Sequence, residues 1–192
     1  LKEVESEPIV PIAASEYAAT ALGFFSAEIE DLGDARWRIG NRGRLATIRF
    51  DRSIDRRVDF ARSSGVIGQM HLQGSLYVAL DPDDTQPIIA LAVSDPNDGT
   101  PAAPQPYLVE SRWPIRKLTM VDSTFSFQAQ GFGVGSMTWR VEAGQRYRIV
   151  ASDDEKSVES FAEAGDDGLL AFTVRTRRYA PATVSVSRIS GG

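Results

Sequence analysis

Two acidic clusters, Asp81-Pro82-Asp83-Asp84 and Asp95-Pro96-Asn97-Asp98-Gly99, have the oxygen density that a calcium ion requires. Neither completes the helix–loop–helix ligand pattern, because Gly99 falls one position early and no spaced glutamate follows. Local turn chemistry accounts for both, since Asp, Asn, Gly and Pro bend the chain without a metal. The run Gly131-Phe132-Gly133-Val134-Gly135-Ser136 has the glycine content of a phosphate-cradling loop. Such loops need a helix N-terminus behind them, and here the alternating segment Met137–Val141 follows instead. A bulge or tight bend between strands is the expectation. The chain has one histidine, His71, and no cysteine. Thiolate metal sites, disulfides and sites needing two imidazoles are thereby excluded. With no partner acid or nucleophile evident, His71 reads as a hydrogen-bonded strand or loop residue rather than a general base. No catalytic residue, metal ligand or cofactor is assigned.

Aromatic residues offer a different chemistry. A flat ring can stack on the apolar face of a sugar while carboxylates at its edge bind hydroxyls. Trp37 and Trp139 fall in phase with apolar neighbours, which places them in a core. Trp113 precedes Pro114, while Tyr107 and Tyr179 lie beside Pro106 and Pro181, so these three are the surface candidates. With Asp81 and Asp83 they form the candidate glycan-binding set. Acids also gather at Asp153–Glu155 and at Asp166–Asp167, a distribution that, if the chain touches glycan, would favour a cationic polymer over a neutral one.

The elements that must position these residues follow from periodicity. Ile9–Ala13 reads as a short strand. Ser15 can then cap a helix running to about Glu30, with Tyr17, Ala21, Phe25 and Ile29 as its buried stripe and Gly33 as its stop. Beyond Gly33 the period changes to two, in Leu76-Val78-Leu80, Phe125-Phe127-Ala129, Met137-Trp139-Val141, Leu170-Phe172-Val174 and Val184-Val186. Ten or more short strands divided by turn signals predict a mainly β chain: an antiparallel β-sandwich, jelly-roll-like, over residues 34–192, preceded by a strand–helix remnant at 1–33. Thr100–Pro106, rich in Pro and Ala, reads as a long surface loop.

The chain has 192 residues with a net charge of −5, so a basic nucleic-acid footprint is missing and no nucleic-acid partner is expected. Its longest apolar run, Ile88–Val93, is too short for a membrane helix, and no membrane partner is expected. Charge is unevenly placed. Residues 1–35 carry one lysine against eight acids, whereas residues 36–62 carry nine arginines against three aspartates. Pairing between these segments, with arginines on the solvated side of strands, is the expected use of the basic stretch.

Two stretches carry a family resemblance. Glu7-Pro8-Ile9-Val10-Pro11-Ile12-Ala13-Ala14-Ser15-Glu16-Tyr17-Ala18 resembles the last strand and helix of the deacetylase barrel in PelA-type exopolysaccharide-modifying proteins. Phe60-Ala61-Arg62-Ser63-Ser64-Gly65-Val66-Ile67-Gly68, followed by Gly74-Ser75-Leu76-Tyr77-Val78, is similar to the β-rich region after that barrel. The resemblance covers about a fifth of the chain and includes no catalytic motif, so no catalytic residue is carried over. It implies an exported, periplasmic or extracellular setting in biofilm matrix secretion. It also implies a non-catalytic accessory module of a polysaccharide deacetylase, with the adjacent catalytic domain and an amino-sugar polysaccharide as its partners. The alternative is a structural or partner-docking domain without sugar contact, and a free-standing hydrolase ranks last.

Overall fold

A computed structural model describes residues 14–93, 105–121, 124–175 and 181–189. The chain is mainly β, and every strand pair whose register is resolved is antiparallel. It divides into two compact units, one within Ile12–Thr100 and one within Pro101–Gly192. The expected class, a mainly β, antiparallel, sandwich-like chain, is borne out, with the strands arranged in three sheets. The division falls at the Thr100–Pro106 stretch, whose first five residues lie outside the described residues, as does the expected strand at Ile9–Ala13.

The first unit comprises helix α1 (Ala14–Ser26) and strands β1 (Glu28–Gly33), β2 (Arg36–Gly40), β3 (Thr47–Phe50), β4 (Arg56–Val58), β5 (Val66–Leu72), β6 (Ser75–Leu80) and β7 (Ile88–Val93). One sheet runs β1-β2-β7-β4, and β6 pairs with both β3 and β5 in a second layer. Alternation aims Ile39 of β2, Val58 of β4, Leu76, Val78 and Leu80 of β6, and Ile89 and Leu91 of β7 into a shared core. Trp37 packs at its margin, with its ring 5.3 Å from that of Phe50.

The second unit comprises β8 (Tyr107–Ser111), β9 (Ile115–Val121), β10 (Thr124–Ala129), β11 (Val134–Arg140), β12 (Arg146–Ser152), β13 (Ser157–Glu163), β14 (Leu169–Arg175) and β15 (Ala182–Arg188). One sheet runs β13-β12-β15-β10-β9, and β11 pairs with β14 and β8 in the other layer. Trp139 of β11 bridges the layers, its ring 4.6 Å from Phe125 and 5.0 Å from Phe127 of β10. Ile149, Leu170, Val174, Val184 and Val186 complete the core, each inward-facing by strand alternation.

The N-terminal segment departs from the sequence expectation. The helix ends at Ser26, with Ala27 N–H bonded to the Gly23 carbonyl, and residues 28–33 form β1 rather than a last helical turn. Strand pairing overrides the helical periodicity here, because β2 offers β1 a ladder from Glu28↔Gly40 to Gly33↔Arg36, broken only by a register shift between Asp31 and Gly33. The two residues between those strands, Asp34 and Ala35, have φ of 52° and 53°, as a tight right-twisted hairpin requires. Gly33 therefore ends a strand, and the expected boundary at 33/34 falls inside this hairpin.

Candidate functional site

Trp113, expected at the surface, is buried with 2% of its area exposed. Its Nε1–H donates to the Phe132 carbonyl at 3.0 Å, and its backbone is tied to the Ser111 hydroxyl. The glycine run explains its burial. A Cβ on Gly131 would lie 2.1 Å from Trp113 Cδ1, and one on Gly135 would lie 2.5 Å from Cδ2. Residues 131–133 are thus a bend leading into β11, with Gly133 at φ 70°, and Gly131 together with Gly135 of that strand makes room for the indole. The proline beside Trp113 marks a strand start, and says nothing about which way the ring faces. An indole packed this way offers no face to a sugar.

Of the other candidates, Tyr107 opens β8 half-buried, opposite Arg140. Tyr179 lies outside the described residues, as does the Asp95–Gly99 cluster. Asp81 and Asp83 belong to the turn after β6, in the first unit, and Tyr107 belongs to the second. Their carboxylates serve the turn: Asp81 Oδ1 accepts from Asp83 N–H at 3.0 Å, and Asp84 Oδ1 accepts from Gln86 N–H at 2.9 Å. Asp153 and Asp167 act likewise in their own turns.

A cation does sit at the oxygen-rich turn, supplied by the chain itself. Arg42 is 3% exposed, and its guanidinium donates to the carbonyls of Asp81 and Leu45 at 2.5 Å and to that of Asp84. Burial pulls the Arg42 pKa below the ordinary guanidinium value, and the nearby Asp84 and Asp81 charges partly oppose that shift. No sequence pattern separates Arg42 from its eight neighbouring arginines. Others in the stretch follow expectation: Arg38 pairs with Glu30 at 2.7 Å and Arg44 with Glu16 at 3.8 Å, joining the basic segment to the acidic one.

His71 Nε2 lies 2.8 Å from the Arg56 carbonyl and 3.3 Å from that of Ser53. Carbonyl oxygens only accept, so Nε2 carries the proton and donates, which is a structural role. Among the described residues no three His, Asp or Glu side chains gather as metal ligands, and no helix is long and apolar enough to cross a membrane.

One surface feature was not anticipated. The stripe expected to be buried faces outward: Tyr17 is 67% exposed, Phe25 83% and Ile29 62%. Leu22 and Phe24 are equally open, and the Phe24 and Phe25 rings meet edge-on at 5.6 Å. The inward side of α1 carries Glu16, Ala19, Thr20 and Gly23 instead. Gly23 decides this orientation. Its Cα rests 3.1 Å from the Cβ position of Gly43, and a Cβ of its own would lie 2.0 Å from the Arg42 carbonyl oxygen. The helix seats its small, polar side on the 42–44 loop and turns its large apolar side to solvent, reversing ordinary amphipathicity. A close look at Gly23 in the helical segment was the one sequence signal available, since glycine inside a helix is costly unless something approaches closely.

No protein-family model matches the chain, and no curated protein or solved structure matches it either.

Proposed function

We propose that this chain is a non-catalytic packing module that docks on another folded protein through the outward face of α1. The reversed helix carries this reading. Four large apolar side chains, Tyr17, Leu22, Phe24 and Phe25, stand on one short helix at exposures of 67–83%. Covering even one phenylalanine is worth about 1.5–3 kcal/mol, so the face provides ample energy for association. The occupant proposed is the adjacent catalytic domain of a PelA-type deacetylase, a choice that rests on the resemblance of Glu7–Ala18 to the end of that family's barrel. An exported setting is part of the same proposal. Sugar binding is the weaker reading, because Trp113 is enclosed and the acidic side chains of the candidate turns are engaged locally.

The test is titration of the chain with that catalytic domain, followed calorimetrically, for the parent and for a Phe24→Ser/Phe25→Ser double variant. Binding by the parent and its loss in the variant is the expected result. Equal binding by both would discard the α1 face. Binding of amino-sugar oligomers with no binding of the domain would restore the glycan reading.

A further inference from the structure

The two edges of the five-stranded sheet in the second unit are built differently. At one edge, β9 sets three residue steps (Arg116 to Thr119) against two on β10 (Gln128 to Ser126), so it bulges. Lys117 sits in that bulge at φ 54°, flanked by Arg116. A bulge and a pair of cations are standard ways to stop an edge strand from recruiting another. At the opposite edge, β13 pairs with β12 over all seven residues, Ser157–Glu163, without a register shift. It has no proline, glycine or basic residue, and every residue except Ala162 is exposed. Among the described residues no strand pairs with its outer side. In the other layer β14 is equally regular, but Leu170, Phe172 and Val174 are already buried, whereas Val158 and Phe161 of β13 remain about half exposed.

We infer that β13 is a self-association edge, pairing antiparallel with β13 of a second copy about a twofold axis at Ser160. The ladder to β12 dictates which groups are free. Ala164 N–H bonds to the Gln145 carbonyl and Asp153 N–H to the Lys156 carbonyl, so even-numbered residues of this strand bond inward to β12. The outward N–H and C=O groups therefore belong to Ser157, Glu159, Phe161 and Glu163. Two copies can join these groups only when odd residues face odd residues. Three such registers overlap by five residues or more. A centre at Glu159 sets that carboxylate against its own copy, and a centre at Phe161 sets Glu159 against Glu163. The centre at Ser160 sets Glu159 against Phe161 and Ser157 against Glu163, with no like charges opposed and all four free residues paired. Glu159 is also held by Arg148 at 2.7 Å within its own chain, which lessens the cost of bringing it to an interface. Val158 would then lie opposite Ala162, covering apolar surface that nothing described in the monomer covers.

The register makes the test specific. Ser160 would face its own copy in a non-hydrogen-bonded pair, with Cα atoms about 4.5 Å apart. That separation falls within the about 4.4–6.8 Å that a disulfide spans, and the chain has no native cysteine to interfere. Sedimentation equilibrium of the full chain is expected to show a doubled mass, and Ser160→Cys to cross-link as a dimer under mild oxidation. Val158→Cys, which would meet Ala162, is expected to stay uncross-linked. Ser160→Lys, placing like charges on the axis, is expected to lose the dimer while keeping the parent's circular dichroism. A monomer at every concentration would overturn the inference. So would a dimer that survives Ser160→Lys, or cross-linking of Val158→Cys as fast as Ser160→Cys.

Discussion

Two aromatic clusters, one in each unit, are put to opposite uses. In the second unit Trp113, Phe125, Phe127 and Trp139 are all buried to within 2% of full burial. In the first, Tyr17, Phe24 and Phe25 are at least two-thirds exposed on α1. Composition and spacing do not separate the two groups. What separates them is the backbone beside each. Two glycines open a slot for Trp113 in the second unit, while in the first a single glycine draws the helix backbone onto a loop and leaves its rings outside. An aromatic side chain is thus diagnostic of a site only once its neighbours' small residues are placed.

The sharpest way to break this comparison is Trp139→Ala. It removes a fully buried ring that touches Phe125 and Phe127, and unfolding in urea should show a loss of about 3–5 kcal/mol. Next is Gly131→Ala, which forces a methyl group into the Trp113 indole; about 1–3 kcal/mol should be lost, with a changed near-ultraviolet tryptophan signal. On the exposed side, Phe25→Ala should alter the stability of the isolated chain by no more than about 0.5 kcal/mol. A clear fall in its melting temperature would show that the ring is covered in solution.

Titration gives the smallest effects. Burial raises the Tyr147 pKa above the ordinary phenol value, the Glu142 and Arg188 charges and a Glu142 backbone hydrogen bond being lesser influences. A group whose folded pKa is raised stabilises fully below its unfolded value and loses that contribution as pH climbs through the folded one. Stability should therefore decline above about pH 10, less so in Tyr147→Phe, as followed by urea midpoints. Glu159, hydrogen-bonded by Arg148, titrates below the usual carboxylate range, and its nuclear magnetic resonance titration should return toward normal in Arg148→Gln.

Much of the β architecture was legible. The alternation at Leu76-Val78-Leu80, Phe125-Phe127-Ala129, Leu170-Phe172-Val174 and Val184-Val186 names inward side chains correctly, because a half-buried strand must alternate. The core position of Trp139, the inward side of Trp37 at the core margin, the structural role of His71, the acidic turn at Asp81–Asp84 and the glycine bend at 131–133 were readable for similarly local reasons. The candidate site was not. Trp113 was misplaced because a neighbouring proline reports chain direction, and ring burial depends on glycines 18 and 22 residues away. The α1 stripe was misread because apolar spacing selects a face without stating what that face meets.

The sequence alone therefore determined the fold class, the turns and most of the inward residues, all of which follow from patterns a few residues long. Tertiary structure alone decided that the β strands gather in two compact units. It also decided that Arg42 occupies the acidic turn, that Trp113 is enclosed, and that α1 presents its apolar side to solvent. Each of these depends on a contact between segments distant in the chain, such as the Arg42 guanidinium on the Asp81 and Asp84 carbonyls or Gly23 against the 42–44 loop. Local periodicity carries no information about such partners, because close packing is settled by which surfaces meet.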